Sequence, residues 1–291
     1  MKIVLFGTST RYSLLAFEEL ATHELVVAVV LSGPSRRGLR DLLRCRRLKS
    51  PLESAAHARM IPVIRLTDAN EPAVGDRLCS LRPDLICIAT FPRLIPPKII
   101  ALAPLGAINV HPSLLPRHRG PLPLFWTYHA DDRMSGVTVH HASQVFDAGD
   151  IILQESFPLP RAYPATMLNA DVGRRGAVLL RYAVRALASG PASRVVQDER
   201  AATLAPRVRP GVPMVRFDEW DVERVWHFLA ALTPRFCEHL IDNEGRPVLY
   251  QTVTGFERCW SSRPGTVEPI ANGWRLHCRS GVVLLGRHDS I

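Results

Sequence analysis

The sequence predicts an α/β protein, a doubly wound and mainly parallel sheet followed by a smaller β-barrel-like domain. Three observations lead there. Over the first 190 residues, short β-branched apolar runs alternate with stretches of helical spacing, the pattern of a parallel sheet covered by helices. Helix breakers and charges then crowd residues 191–205. From 206 to 291 short strands with turn punctuation take over, as in small barrels. The expected organisation is therefore a domain over 1–190, a linker over 191–205 and a second domain over 206–291.

Element by element, Lys2–Phe6 is an apolar run closed by Gly7, and Leu25–Leu31 is a second; such runs read as buried parallel strands. Between them Tyr12–Ala21 carries Leu14, Leu15, Phe17, Leu20 and Ala21 at helical spacing. Helices are expected over Pro51–Arg59 and Ala73–Leu81, and strands over Ile61–Ile64, Leu85–Ala89 and Gly106–His111. Gly136–His140 and Ile151–Phe157 predict two more strands around the loop Ala142–Asp150. Thr166–Ala188 is the longest amphipathic helix, stopped by Gly190 and Pro191. In the second domain the helix Val222–Leu232 precedes strands at Pro247–Thr252, Gly265–Val267, Trp274–Cys278 and Val282–Leu285. Asn243-Glu244-Gly245, Asn272-Gly273 and Ser280-Gly281 supply the turns.

Composition narrows the class. Of 291 residues, 47% are hydrophobic and 22% charged, and the net charge is +9. That excludes wholesale disorder and fits anionic partners such as nucleic acid, a nucleotide or an anionic cofactor. Six cysteines, none spaced C-x-x-C, read as reduced thiols rather than a disulfide framework or a zinc site. The apolar run Leu25–Leu31 is far short of the roughly 20 residues that span a bilayer. The expected location is the cytoplasm, without membrane contact.

Asn109 and His111 stand two apart at the end of an apolar strand, so their side chains point the same way. An amide can stabilise a developing oxyanion, and an imidazole moves protons near neutral pH. Downstream, Asp147 lies on a glycine-containing loop, Phe146-Asp147-Ala148-Gly149-Asp150, where a carboxylate can orient that histidine or raise its pKa. Such a trio also arises by chance, and its neighbours decide how it is read. Ser113 has no nucleophile-elbow glycines around it. His140 and His141 are adjacent, which puts them on opposite faces of a strand and argues against a metal pair. Gly7-Thr8-Ser9 is no dinucleotide fingerprint. Arg117, His118 and Arg119 form either an anion-binding loop or a solvated basic one.

The surrounding words decide. Asn109-Val110-His111-Pro112-Ser113-Leu114-Leu115-Pro116, Arg117-His118-Arg119-Gly120, Gly136-Val137-Thr138-Val139-His140 and Asp147-Ala148-Gly149-Asp150-Ile151 together resemble the folate-dependent formyltransferase family. That family includes glycinamide ribonucleotide, methionyl-tRNA and sugar-nucleotide formyltransferases. Ile86–Pro96 is similar to the family's pterin-side strand and loop. Leu204–Val208, Val215–Trp220 and Arg263–Val267 resemble the C-terminal, OB-like domain of methionyl-tRNA formyltransferases. The resemblance implies the formyltransferase fold, 10-formyltetrahydrofolate as formyl donor and co-substrate, and no metal. It implies Asn109 as oxyanion donor, His111 as its partner in proton transfer and Asp147 as the group that tunes His111 and moves the amine's proton. Donor binding is expected from Phe91, Leu94, Ile95, Ser113, Leu114, Leu115, Pro116 and Asp150.

For the acceptor, two readings stand. Arg36–Lys49 holds seven cations in 14 residues, and similar basic insertions occur in methionyl-tRNA formyltransferases. Arg36, Arg37, Arg40, Arg44 and Arg117 are then expected to meet a phosphate backbone. Pro123-Leu124-Phe125-Trp126 resembles the aminosugar formyltransferases instead, which makes a nucleotide-linked aminosugar the alternative. Trp260 and Trp274 read as core residues rather than stacking platforms.

Overall fold

The chain starts in the centre of a sheet. Strand β1 (Lys2–Gly7) has Ile3–Phe6 wholly buried, because its β-branched and aromatic residues are covered on both faces. The computed structural model describes residues 1–32, 50–66, 72–190, 194–209, 211–242, 244–260 and 263–287. By compactness the chain forms two units. The first comprises Met1–Pro123, Ser135–Phe157 and Asn169–Ala205; the second comprises Leu124–Met134, Pro158–Leu168 and Pro206–Ile291.

In the first unit, helix α1 (Arg11–His23) follows β1 and is capped by the Thr10 hydroxyl, which accepts from Ser13 N. Strand β2 (Leu25–Ser32), helix α2 (Pro51–Ala58), strand β3 (Val63–Leu66), helix α3 (Pro72–Ser80) and strand β4 (Leu85–Ala89) continue the alternation. Ser50 caps α2 through Glu53 N, and Pro51 occupies its first turn. A one-turn helix α4 (Pro97–Ile100) leads to β5 (Ala107–His111). Helix α5 (Pro123–His129), β6 (Met134–His141), β7 (Ile151–Pro158) and α6 (Ala165–Ala188) complete this part of the chain. The seven strands lie in the order β3-β2-β1-β4-β5-β6-β7. β1 to β5 run parallel to one another and β6 runs antiparallel to β5. The order reverses between β1 and β4, which opens a crevice at their carboxyl ends. Phe6, Val30, Ile86, Ile88 and Phe91 are part of one core below it, with Phe6 and Phe91 edge to face at 5.2 Å.

The second unit has its own core. Helix α7 (Val222–Leu232) packs on β8 (Tyr250–Arg258) and β11 (Gly281–Arg287). With β9 (Val267–Ile270) and β10 (Gly273–Cys278) these form an antiparallel sheet in the order β8-β11-β10-β9. Phe125 of α5 sits edge on to Phe228 at 5.4 Å and to Phe236 at 5.1 Å, and His129 lies 5.0 Å from Trp220. The Pro-Leu-x-Trp stretch therefore supplies a core anchor here.

Several elements differ from their sequence expectation. β3 begins at Val63 rather than Ile61, because Pro62 has no N–H to offer a ladder and contributes only its carbonyl, to Val29 N. β8 runs on past Thr254-Gly255, since the pairing skips Thr254 between Gly255↔Leu284 and Val253↔Leu285 and absorbs it as a bulge. The segment read as a linker is hydrogen-bonded into the first unit: Val195 exchanges both backbone bonds with Ile151, and Arg119 does so with Thr203 and Ala205. Trp260, expected in the core, is 85% exposed just beyond the end of β8. Trp274 is half-buried, with the Arg287 guanidinium over its ring.

Candidate active site

Strand β5 delivers Asn109 and His111, and β6 sets His140 directly across from Asn109. The loop 142–150 brings Asp147 over the strand ends. Gly149 makes that return possible: a Cβ there would stand 1.9 Å from the His141 carbonyl oxygen. Asp147 itself has φ +56°, a conformation aspartate tolerates better than most residues.

Three of these side chains converge on one oxygen of the fourth, Asp147. Asn109 Nδ2 donates to Asp147 Oδ1 at 3.1 Å, and the same oxygen lies 3.5 Å from His111 Nδ1 and 3.6 Å from His140 Nε2. Asp147 Oδ2 accepts the Gly120 backbone N–H at 2.9 Å. His111 Nε2 can only donate to the His118 carbonyl, 2.9 Å away, which leaves Nδ1 as the acceptor facing Asp147. By the same logic His140 Nδ1 donates to the His141 carbonyl at 2.8 Å, and its Nε2 receives the second Asn109 amide hydrogen at 3.0 Å.

Electrostatics follow from this geometry. Burial lowers the His111 pKa against the pull of Asp147, so the ring is neutral near pH 7. Burial pushes the Asp147 carboxyl up, but His111, His140 and the Gly120 N–H outweigh it and hold it at about 2. The site therefore pairs an ionised carboxylate with a neutral imidazole, one ring nitrogen of which is open to a proton.

Phe91, Leu94 and Ile95, expected from the sequence to bind the donor, line one cavity together with Asn109, His140 and Asp147. Arg93, Val145 and Phe146 also line it. Ser113, Leu114, Leu115 and Pro116 are not among its lining. Ser113 Oγ donates to the Arg117 carbonyl, Leu115 N donates to Thr138 Oγ1 and the Pro116 carbonyl accepts from Thr203 N. Asp150 is half-buried; its backbone carbonyl accepts from His141 N. Arg117 is half-buried on the same loop as Ser113. Arg119 is no anion-binding arm, for it is buried and engaged by Gln197 and Glu199. Arg36, Arg37, Arg40 and Arg44 lie outside the described residues.

Sequence reasoning missed two features. One is a hydroxyl cluster at the carboxyl ends of β1 and β4: Thr90 Oγ1 is within 3.0 Å of Thr8, Thr10 and Ser13 hydroxyls. Thr90 has φ +59°, an outlier for a β-branched residue, and such strain gathers at functional sites. The other is Gln197, 50 residues along the chain from Asp147 and bonded to its carbonyl. Among the described residues no group of three or more His, Cys, Asp and Glu side chains is placed to hold a metal, and no helix is long and apolar enough to cross a membrane.

The first unit is thus a doubly wound α/β sheet with Asn109, His111, His140 and Asp147 brought together beyond its strand ends. Residues 1–182 match the Formyl transferase family, and the chain belongs to that family. It is 31% identical over 284 residues to a methionyl-tRNA formyltransferase of Syntrophus aciditrophicus, covering 97% of this chain and 89% of that protein. A methionyl-tRNA formyltransferase of Chlorobium luteolum is 35% identical over 182 residues, 62% of this chain and 57% of the relative. Among solved structures, the N-formyltransferase of Helicobacter canadensis in complex with folinic acid and dTDP-3-aminofucose aligns over 99% of both chains at TM-score 0.72 and 16% identity. HypX of Aquifex aeolicus, solved with tetrahydrofolic acid, matches at TM-score 0.62 and 20% identity over 97% of this chain. The chain spans 43% of the HypX length.

Proposed function

We propose that the chain transfers the formyl group of 10-formyltetrahydrofolate to a primary amine, and that the acceptor is the methionyl amine of an initiator tRNA. The observation that carries the chemistry is the convergence of Asn109, His111 and His140 on a single oxygen of Asp147. The acceptor assignment draws on relatives named methionyl-tRNA formyltransferase that align over nearly the whole chain, the second unit included.

In this mechanism the pterin side of the donor lies against Phe91, Leu94 and Ile95, with Ser113–Pro116 and Asp150 shaping the donor side from behind. The neutral acceptor amine attacks the formyl carbon, and the carbonyl electron pair moves onto oxygen. Asn109 gives one amide N–H to that oxyanion, exchanging an internal partner for it; one such donor is worth on the order of 100–1000-fold in rate. The amine's surplus proton passes to the Asp147–His111 pair, where it makes His111 cationic beside the oxyanion, and then to N10, directly or through a water. Collapse of the intermediate breaks the carbon–N10 bond and leaves the formamide and tetrahydrofolate. Arg36, Arg37, Arg40, Arg44 and Arg117 meet the acceptor's phosphates, residues 1–190 are the catalytic domain, 206–291 the RNA-facing one, and the setting is cytoplasmic.

A second reading, formylation of a nucleotide-linked aminosugar, draws on the full-length fold likeness to the Helicobacter canadensis enzyme. One assay separates them: 10-formyltetrahydrofolate with methionyl-initiator tRNA, or with a panel of nucleotide-linked 3-amino and 4-amino sugars. Turnover on the tRNA, lost when the Arg36–Lys49 cations are neutralised and falling steeply with salt, supports the first. Turnover on a sugar alone overturns it.

A further inference from the structure

Asp147 is gripped twice from one direction. Its carboxylate accepts the N–H of Gly120. Its carbonyl accepts from Gln197 Nε2 at 2.9 Å, and the other hydrogen of that amide goes to the Gly149 carbonyl at 2.7 Å. Gln197 is 5% exposed, and its Oε1 accepts from Arg119 Nε at 3.0 Å and Nη2 at 2.8 Å. Both donors and both lone pairs of the amide are thus occupied. Turned over, the amide would set its hydrogens against guanidinium donors and its oxygen against two carbonyls, so its orientation is fixed.

The anchor is fixed in turn. Arg119 is buried and takes both carboxylate oxygens of Glu199, at 2.9 and 2.8 Å, a bidentate pairing that holds the guanidinium plane. Its backbone bonds to Thr203 and Ala205. Arg119 and Gly120 are consecutive, so the ring closes: one residue holds the Asp147 carboxylate, and its neighbour holds the Asp147 carbonyl through Gln197. The turn being held is one that would not hold itself. Asp147 sits at positive φ, and the preceding Val145 and Phe146 are exposed.

We propose that Gln197 is a positioning residue for the reaction: oriented by Arg119 and Glu199, its side-chain amide fixes the Asp147–Gly149 turn so that the carboxylate stays between His111 and Asn109. The inference rests on the reading of Asp147 as the proton-relay group. Gln197→Glu tests it, because glutamate keeps the size and the Arg119 pairing but offers oxygen to both carbonyls in place of N–H. Formyl transfer by this variant should show kcat lowered about 10–100-fold, the loss expected of a misplacement near 1 Å. The folate KM should stay within about threefold and the thermal midpoint near that of the parent. The acid limb of kcat/KM should move to lower pH as His111 loses part of the attraction of Asp147. A kcat within twofold of the parent overturns the proposal. Asp147→Asn in the same assay keeps the two readings apart. If Asp147→Asn is inactive while Gln197→Glu is normal, only the positioning role fails; if both are normal, the site itself fails. Should Gln197→Glu not fold, the unmodified protein decides. Both Gln197 side-chain amide protons should exchange with solvent slowly by NMR, and exchange at the rate of a free amide overturns the proposal.

Discussion

Both units bury histidines, and the comparison between them shows what makes such a residue chemical. In the first unit, His111 is 5% exposed with a carboxylate oxygen 3.5 Å from one ring nitrogen and a backbone carbonyl on the other. In the second, His227 is fully buried, accepts the Ala162 N–H on Nδ1 at 2.7 Å and lies against the Tyr128 ring. Among the described residues its Nε2 has no hydrogen-bond partner. Burial lowers the pKa of both, so burial and pKa alone do not separate them. The partners do: His111 has somewhere to pass a proton, whereas His227 has a turn to pin.

The largest expected effect tests the first half of that contrast. Asp147→Asn should lower kcat/KM about 1000-fold or more, since the relay loses both its charge and its acceptor. Next, His111→Ala should lower formyl transfer at least about 100-fold while donor binding, read by fluorescence titration, stays within several-fold. Near-normal turnover in either variant would remove the distinction between His111 and His227.

The second half is tested by stability. Burial and the nearby Arg161 hold His227 at about 4, below the ordinary value of 6.5. The unfolded chain therefore binds more protons between those values, and stability falls as pH drops from 6.5 towards 4. His227→Asn, which keeps an acceptor for Ala162 N, should remove about 2 kcal/mol of that acid sensitivity in urea titrations and leave turnover unchanged. The smallest effect is at Ala162, whose φ is +52°. Ala162→Gly should relieve the left-handed strain and stabilise by about 0.5–1 kcal/mol, the gain being trimmed by the looser unfolded chain.

The meeting of Asn109, His111 and Asp147 was legible because it is written in short words. Asn109 and His111 share a strand, and the spacing of two alone puts them on one side; Asp147 stands two residues before Gly149, the glycine that its loop requires. The alternation of β1 to β5 was legible because buried parallel strands are continuous apolar runs. Gln197 was not, because its meaning comes from contacts 50 residues and more away and its neighbours Val195 and Val196 are exposed. The hydroxyl cluster was hidden for the same reason: Thr8 and Thr90 are 82 residues apart and meet only through the pairing of β1 with β4. Segment 194–205 looked like a tether because breakers and charges dominate it, yet its backbone finds partners in the loop that holds Gly120.

The second unit is assembled from three separate stretches of chain, and that has a consequence for cutting and splicing. A fragment starting at Pro206 would lack residues 124–134 and 158–168. Trp220, Phe228 and Phe236 would lose Phe125 and His129 as neighbours, and His227 would lose the backbone it pins. The natural seam of the polypeptide is therefore not a seam of the folded body. A gene fusion or domain exchange made at that boundary would carry across an incomplete module, and a grafted tail would have to bring its own copies of the two inserted stretches to remain intact.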